Sequence, residues 1–280
     1  MGIAPVLGSA AILGGVGLTF GTLIALANRK LKVYEDPRIS EVEDLLPGAN
    51  CGACGFAGCR AFAEAVIRGE EPPATCTVMS DVELEDVAEY LGVEAGEADK
   101  VVARLMCAGG SDVAVQQAEY YGVESCAAAV AVGGGGKGCA WGCVGLADCA
   151  VVCDFDAIVM NDVGLPVVIP EACTACGDCV EACPLGLFEL VPMSEHLVVQ
   201  CKSLLEGDAA TEVCAVACNA CGRCAVDAPD GLIEMEEGLA VIDRSRIELE
   251  NKDAIARCPT GAIVWVEGAQ FRVPVVSGSA

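Results

Sequence analysis

The stretch that decides the reading is Cys173-Thr-Ala-Cys176-Gly-Asp-Cys179-Val-Glu-Ala-Cys183-Pro184. Cysteines separated by two, two and three residues and closed by proline put four thiols on one loop, the pattern of half a two-cluster bacterial ferredoxin. In such folds the fourth cysteine of each run ligates the other cluster, so a second run must lie nearby. Upstream, Cys143, Cys149 and Cys153 fit the same spacing with Leu146 in the second position, and Cys139 stands shortly before Cys143 as a ready substitute. The expected partition is Cys139, Cys143 and Cys149 with Cys183, and Cys173, Cys176 and Cys179 with Cys153. The tails Cys153-Asp-Phe-Asp-Ala-Ile and Cys183-Pro-Leu-Gly-Leu-Phe each lead from the last ligand into an apolar strand.

Two further groups flank this region. Cys51-Gly-Ala-Cys54-Gly-Phe-Ala-Gly-Cys59, completed by Cys76, is a self-contained set of four whose glycines let the backbone turn tightly around a cluster. Downstream, Cys218, Cys221 and Cys224 open another run, but Ala228, followed by Pro229, stands where its fourth cysteine is expected. Residues 247 to 254 carry no cysteine before Cys258-Pro259, so the partner cluster is missing as a unit. Cys218, Cys221 and Cys224 with Cys258 still make one complete set, and the region reads as a two-cluster module reduced to one. The expected cofactors are thus about four [4Fe-4S] clusters. Cys107, Cys126, Cys201 and Cys214 remain; they read either as relics or buried thiols, or as ligands of a fifth cluster.

Composition points the same way. Twenty cysteines against a single histidine, His196, leave thiolate as the only abundant ligand. Disulfide scaffolds are mostly short secreted domains, and zinc sites usually come as two separated Cys-x2-Cys pairs, so iron-sulfur chemistry is favoured over both. With 16 basic and 41 acidic residues the net charge is −25, which excludes a nucleic-acid surface and otherwise reads as solubility. Aromatic content of 4% argues against one large core and for small modules folded around metal.

Ile3 to Asn28 carries no charged residue. As a helix at ~1.5 Å per residue it spans roughly 39 Å, enough for a ~30 Å hydrocarbon core. Arg29, Lys30 and Lys32 follow it rather than precede it, which argues for an anchor over a cleaved signal and places everything after Lys30 in the cytoplasm. The small residues Gly8, Ser9, Gly14, Gly15, Gly17 and Gly21 would admit a neighbouring helix. Asp36 to Pro47 reads as an acidic linker, Arg60 to Arg68 and Asp81 to Leu91 as helices, and Val101 to Met106 as a strand. Gly133 to Gly136, with Lys137 and Gly138, lacks the hydroxyl residue of a phosphate-binding loop and reads as a hinge.

The expected fold class is α+β: a transmembrane helix over 1–28, a [4Fe-4S] domain over 29–77, a connector over 78–138, a two-cluster ferredoxin-like domain over 139–195, a one-cluster ferredoxin-like domain over 196–270, and a tail over 271–280.

The order of these features resembles one family across essentially the whole chain: the B subunit of the Rnf complex, the membrane-bound, ion-translocating ferredoxin:NAD oxidoreductase. The resemblance rests on the anchor, the Cys51/Cys54/Cys59/Cys76 group, Val168-Ile-Pro-Glu-Ala-Cys173-Thr-Ala-Cys176-Gly-Asp-Cys179, and Gly138-Cys139-Ala-Trp-Gly-Cys143-Val-Gly-Leu-Ala-Asp-Cys149. It implies a polypeptide that accepts electrons from soluble ferredoxin and passes them to other membrane subunits that pump Na+ or H+ and reduce NAD+. The departure is the lost cluster near Ala228. A membrane-anchored polyferredoxin wiring another dehydrogenase or hydrogenase is the alternative, and an iron-sulfur scaffold without redox duty is a third.

Overall fold

The computed structural model describes residues 3–30, 36–96 and 99–274; Lys32 and the end of the tail lie outside them. Helix α1 (Ile3–Lys30) ends on Arg29 and Lys30. From Ile12 to Leu26 its large apolar side chains are exposed, so it is not the core helix of a soluble domain.

The first module is helical. Helix α2 (Pro37–Leu45) starts on Pro37 behind Asp36, whose side chain accepts from the Arg38 amide. Helix α3 (Cys59–Arg68) ends on Gly69 in the left-handed conformation, and α4 (Asp81–Leu91) starts with a Ser80–Glu83 capping box and ends on Gly92. Val42, Phe62, Val66 and Val87 from the three helices form one buried core. The segment expected to be an acidic linker is therefore a packed helix. Its charges lie outward, and Val42 supplies a fully buried apolar anchor that a short acidic stretch did not advertise.

The remainder comprises two units of similar plan. In the first, β1 (Val101–Leu105) precedes two short helices, α5 (Cys126–Ala131) and α6 (Asp148–Val151). A hairpin of β2 (Ile158–Met160) and β3 (Pro166–Val168) follows, then α7 (Asp178–Ala182) and β4 (Phe188–Pro192). Strand β4 returns antiparallel to β1, with Leu105 opposite Phe188. In the second, β5 (Leu197–Val199) leads through α8 (Gly207–Val213) and α9 (Arg223–Asp227) to the hairpin β6 (Ile233–Glu236) and β7 (Leu239–Ile242). Helix α10 (Asp253–Ala256) and β8 (Ile263–Trp265) complete it, and β8 pairs antiparallel with β5. The cores are Val102, Leu105, Leu187 and Phe188 in one unit and Leu197, Leu232, Ile233 and Ile263 in the other.

The stretch expected to be a connector, 78–138, is divided between modules. Helix α4 packs into the first, whereas β1, Cys107 and Cys126 belong to the unit of β4. The four glycines form a packed turn rather than a loose hinge. All four have positive φ, and a Cβ at Gly136 would fall 2.0 Å from the Ala118 carbonyl oxygen.

Candidate metal centres

Each of the twenty cysteines carries a free thiol, and the thiols gather on five cavities. Cys51, Cys54, Cys59 and Cys76 line the first, in the helical module. Here Asn50 and Gly52 take positive φ, and the Asn50 side-chain oxygen accepts from the Cys59 amide at 2.8 Å, fixing the loop onto the start of α3. A Cβ at Gly58 would meet that oxygen at 2.8 Å, so only glycine fits there.

Cys153, Cys173, Cys176 and Cys179 line a second cavity; Cys218, Cys221, Cys224 and Cys258 line a third. A fourth is lined by Cys143, Cys149 and Cys183 with Cys126. This last set differs from the spacing-based partition: Cys126 stands where Cys139 was expected. The backbone explains it. Cys139 follows Gly138, whose amide is tied to the Val115 carbonyl at 2.8 Å on the far side of the loop. Cys126 opens α5, and Asp148 beside Cys149 holds that helix start, accepting from the Ser125 hydroxyl at 3.0 Å and the Ala127 amide at 3.1 Å. Cys139 instead shares a fifth cavity with Cys107, Cys201 and Cys214.

Three of the loops share one backbone form. Gly145, Ala175 and Ala220 take left-handed φ values of 78°, 57° and 59°, and Ala147, Gly177 and Gly222, which precede α6, α7 and α9, are left-handed too. Alternation of this kind turns successive amides toward one concavity, a cradle for an anionic group. Holding alanine there costs of order 1–3 kcal/mol per residue. The Cys143 loop keeps this form although Leu146 has replaced its second cysteine, so the missing thiol alone is supplied from elsewhere.

Burial dominates the electrostatics. It pushes the Cys143, Cys149 and Cys179 thiols up to about 12, with further upward pressure from neighbouring cysteines. At Cys258 burial also acts upward, but the amides of Ile263, Thr260 and Ala262 outweigh it and bring the thiol below its ordinary value. Four thiolates crowded into one apolar cavity require a compensating cation. Among the described residues no group of three or more His, Cys, Asp or Glu side chains converges on a single ion. The thiols instead surround five cavities, four to each. That arrangement fits a cuboidal iron-sulfur cluster and not one zinc ion at ~2.3 Å from each sulfur. His196 lies apart, its Nδ1 2.6 Å from Glu250 and its ring stacked on Trp265.

Two family models match the chain: a putative Fe-S cluster domain over residues 46–78 and a 4Fe-4S binding domain over residues 166–188. The B subunit of the Na+-translocating ferredoxin:NAD+ oxidoreductase complex of Acetobacterium woodii is 44% identical over 252 residues, 90% of this chain and 75% of that one. The chain belongs to the Rnf complex B-subunit family. Two other members are the proton-translocating counterpart from Clostridium ljungdahlii, 39% identical over 89% of this chain and 88% of its own, and the B subunit of the ion-translocating oxidoreductase complex of Methanosarcina acetivorans, 37% identical over 91% and 96%. Both matched domains of this Rnf-family chain fall on four-cysteine cavities, at Cys51–Cys76 and around Cys173–Cys183.

Proposed function

We propose that this chain is the electron-relay component of a membrane-bound, ion-translocating ferredoxin:NAD oxidoreductase, taking electrons from soluble ferredoxin and handing them to the other subunits. The observation that carries the reading is the contiguity of three four-thiol sites. Thr77, next to Cys76, donates to the Thr174 carbonyl beside Cys173 at 2.7 Å, which joins the first site to that of Cys153, Cys173, Cys176 and Cys179. Cys149, in turn, feels the Cys179 charge from the adjoining site. Bound [4Fe-4S] clusters supply one-electron chemistry. The chain supplies positions: thiols hold each site, loop amides offset negative charge, and apolar walls such as Leu105, Leu187 and Phe188 keep water out. Arg104, 1% exposed and beside Cys173, adds a buried positive charge near one of them.

Four sites are proposed on this basis: Cys51, Cys54, Cys59 and Cys76; Cys153, Cys173, Cys176 and Cys179; Cys126, Cys143, Cys149 and Cys183; and Cys218, Cys221, Cys224 and Cys258. Helix α1 is long and apolar enough to cross a membrane, and Arg29 and Lys30 at its end support a cytoplasmic position for the modules. It carries no ionisable residue before Arg29, so ion passage falls to other subunits. The test is to mix the anaerobically purified full chain with reduced ferredoxin and follow bleaching of the cluster absorption, with a redox titration alongside. Reversible one-electron reduction of several centres is expected. Clusters that reduced ferredoxin leaves untouched, and that do not titrate reversibly, would mark a scaffold and overturn the relay.

A further inference from the structure

We infer that Cys107, Cys139, Cys201 and Cys214 form a fifth [4Fe-4S] site, seated between the two units and bridging the Cys143 and Cys218 sites. Its role rests on the relay reading; its existence does not. The four thiols come from four separate segments and fit no ferredoxin run, yet they line one cavity, as the four thiols of the Cys218 site do. A Cβ built at Gly109 would lie 3.1 Å from the Cys214 sulfur and 3.7 Å from the Cys107 sulfur, so both point into the same space.

An internal two-fold relation produces the site. Cys107 lies two residues past β1 and Cys201 two past β5. Cys139 precedes Cys143 by four residues and Cys214 precedes Cys218 by four. The supporting hydrogen bonds repeat: Met106 donates its amide to Leu187 and Gln200 donates to Ala262, both at 2.7 Å, and each acceptor lies four residues past the Cys-Pro cysteine of its unit, Cys183 or Cys258. The units meet where the Ala108 amide donates to the Gln200 carbonyl. Residues 113–115 stitch the seam, since Val115 bonds Val213 on one side and accepts from Gly138 on the other. Each unit thus contributes one thiol after its first strand and one a helical turn ahead of its cluster loop.

The same relation makes the site a bridge. The Cys143 amide donates to the Cys107 sulfur at 3.4 Å, and the Cys218 amide donates to the Cys201 sulfur. One residue of each flanking loop therefore touches a ligand of the central site. Lys137 fits this arrangement: its ammonium lines the cavity and donates to the Gly109 and Cys143 carbonyls, a positive charge set beside four thiolates in a chain of net charge −25. Cys107, Cys139, Cys201 and Cys214 would hold the central cluster, which would supply one-electron chemistry between the Cys143 and Cys218 sites. No bond to the protein changes and no proton moves; reduced ferredoxin is the reductant.

The test uses the full chain purified anaerobically in detergent, with iron and sulfide counted per chain and Mössbauer spectra recorded. The wild type is expected to hold about twenty iron atoms, and Cys201→Ser/Cys214→Ser about sixteen, with one spectral component lost. In that variant ferredoxin should still reduce the Cys51, Cys173 and Cys143 sites at wild-type rates, while electron arrival at the Cys218 site slows. A wild type holding about sixteen irons, unchanged by the substitutions, overturns the fifth site and leaves the relay standing. A wild type far below sixteen overturns the relay reading instead. If the double variant loses more than four irons, Cys107→Ser decides. A three-iron signal sustains the site, and a wild-type spectrum removes it.

Discussion

Cys126 shows how far a single thiol's role depends on what holds it. In sequence it stands well upstream of any run and reads as a relic, a buried thiol or a ligand of a fifth cluster. In the structure it faces Cys143, Cys149 and Cys183, filling the gap that Leu146 leaves. Cys183 closes this site from the opposite run, while Cys153 closes the site of Cys173, Cys176 and Cys179. Cys126→Ala and Cys183→Ala are accordingly expected to convert the Cys143 centre to a three-iron form and leave the Cys173 centre intact. Cys153→Ala should do the reverse. Electron paramagnetic resonance of the oxidised variants distinguishes them, since only the three-iron form is visible. If each substitution disturbed the nearest centre in sequence instead, the crossed assignment would fail.

At the level of elements, side-chain hydrogen bonds pin two of the site loops, at Asn50 and at Asp148. Asp148 is the clearest pin, tying the start of α5 to the start of α6 and so Cys126 to Cys149. Burial alone would raise its carboxyl, but hydrogen bonds from the Cys126 and Ala127 amides and the Ser125 hydroxyl outweigh it and hold the group below its ordinary value. Loss of such a cap-like contact costs about 1 kcal/mol. Asp148→Ala should therefore lower the stability of this unit and increase the share of three-iron form at Cys126, whereas Asp148→Asn, which keeps an acceptor oxygen, should lose less. Because the folded carboxyl titrates lower than the unfolded one, its contribution is fully present above the ordinary value of 3.8 and fades as pH falls through the folded value. In denaturation monitored by cluster absorption, the gap between wild type and Asp148→Ala should hold steady from neutral pH down to that region and close below it. A gap that already narrows near neutrality would assign the effect to another group.

For the whole molecule, one apolar helix precedes a helical module and two units of similar plan. The first module touches the second through Thr77 and Thr174, and the two units meet at the Cys107 and Cys201 segments. The orientation proposed from Arg29 and Lys30 would give the modules access to the soluble ferredoxin proposed as partner. A reporter fused after Ala280 should be active in the cytoplasm and inactive outside. Moving Arg29 and Lys30 to the front of α1 should weaken that bias. Reporter activity outside the cytoplasm would overturn the orientation and the choice of partners with it.

What the sequence determined by itself was whatever is local. Thiols two or three residues apart must share a loop, so the sets around Cys51, Cys173 and Cys218 were legible from spacing, as were the capped helix at Asp81–Leu91 and the charge-free stretch before Arg29. The tertiary structure decided what depends on distant segments meeting. Spacing offered Cys139 as the substitute for Leu146, and only the Asp148 contacts and the Gly138–Val115 bond put Cys126 there instead. Val42 turned an acidic stretch into a core helix because its partners Phe62 and Val87 lie on other helices. Cys107, Cys139, Cys201 and Cys214 form no single run; the equal interval from Cys139 to Cys143 and from Cys214 to Cys218 hinted at a repeat, but only the contacts between the two units, Ala108 with Gln200 and Val115 with Val213, bring the four to one cavity.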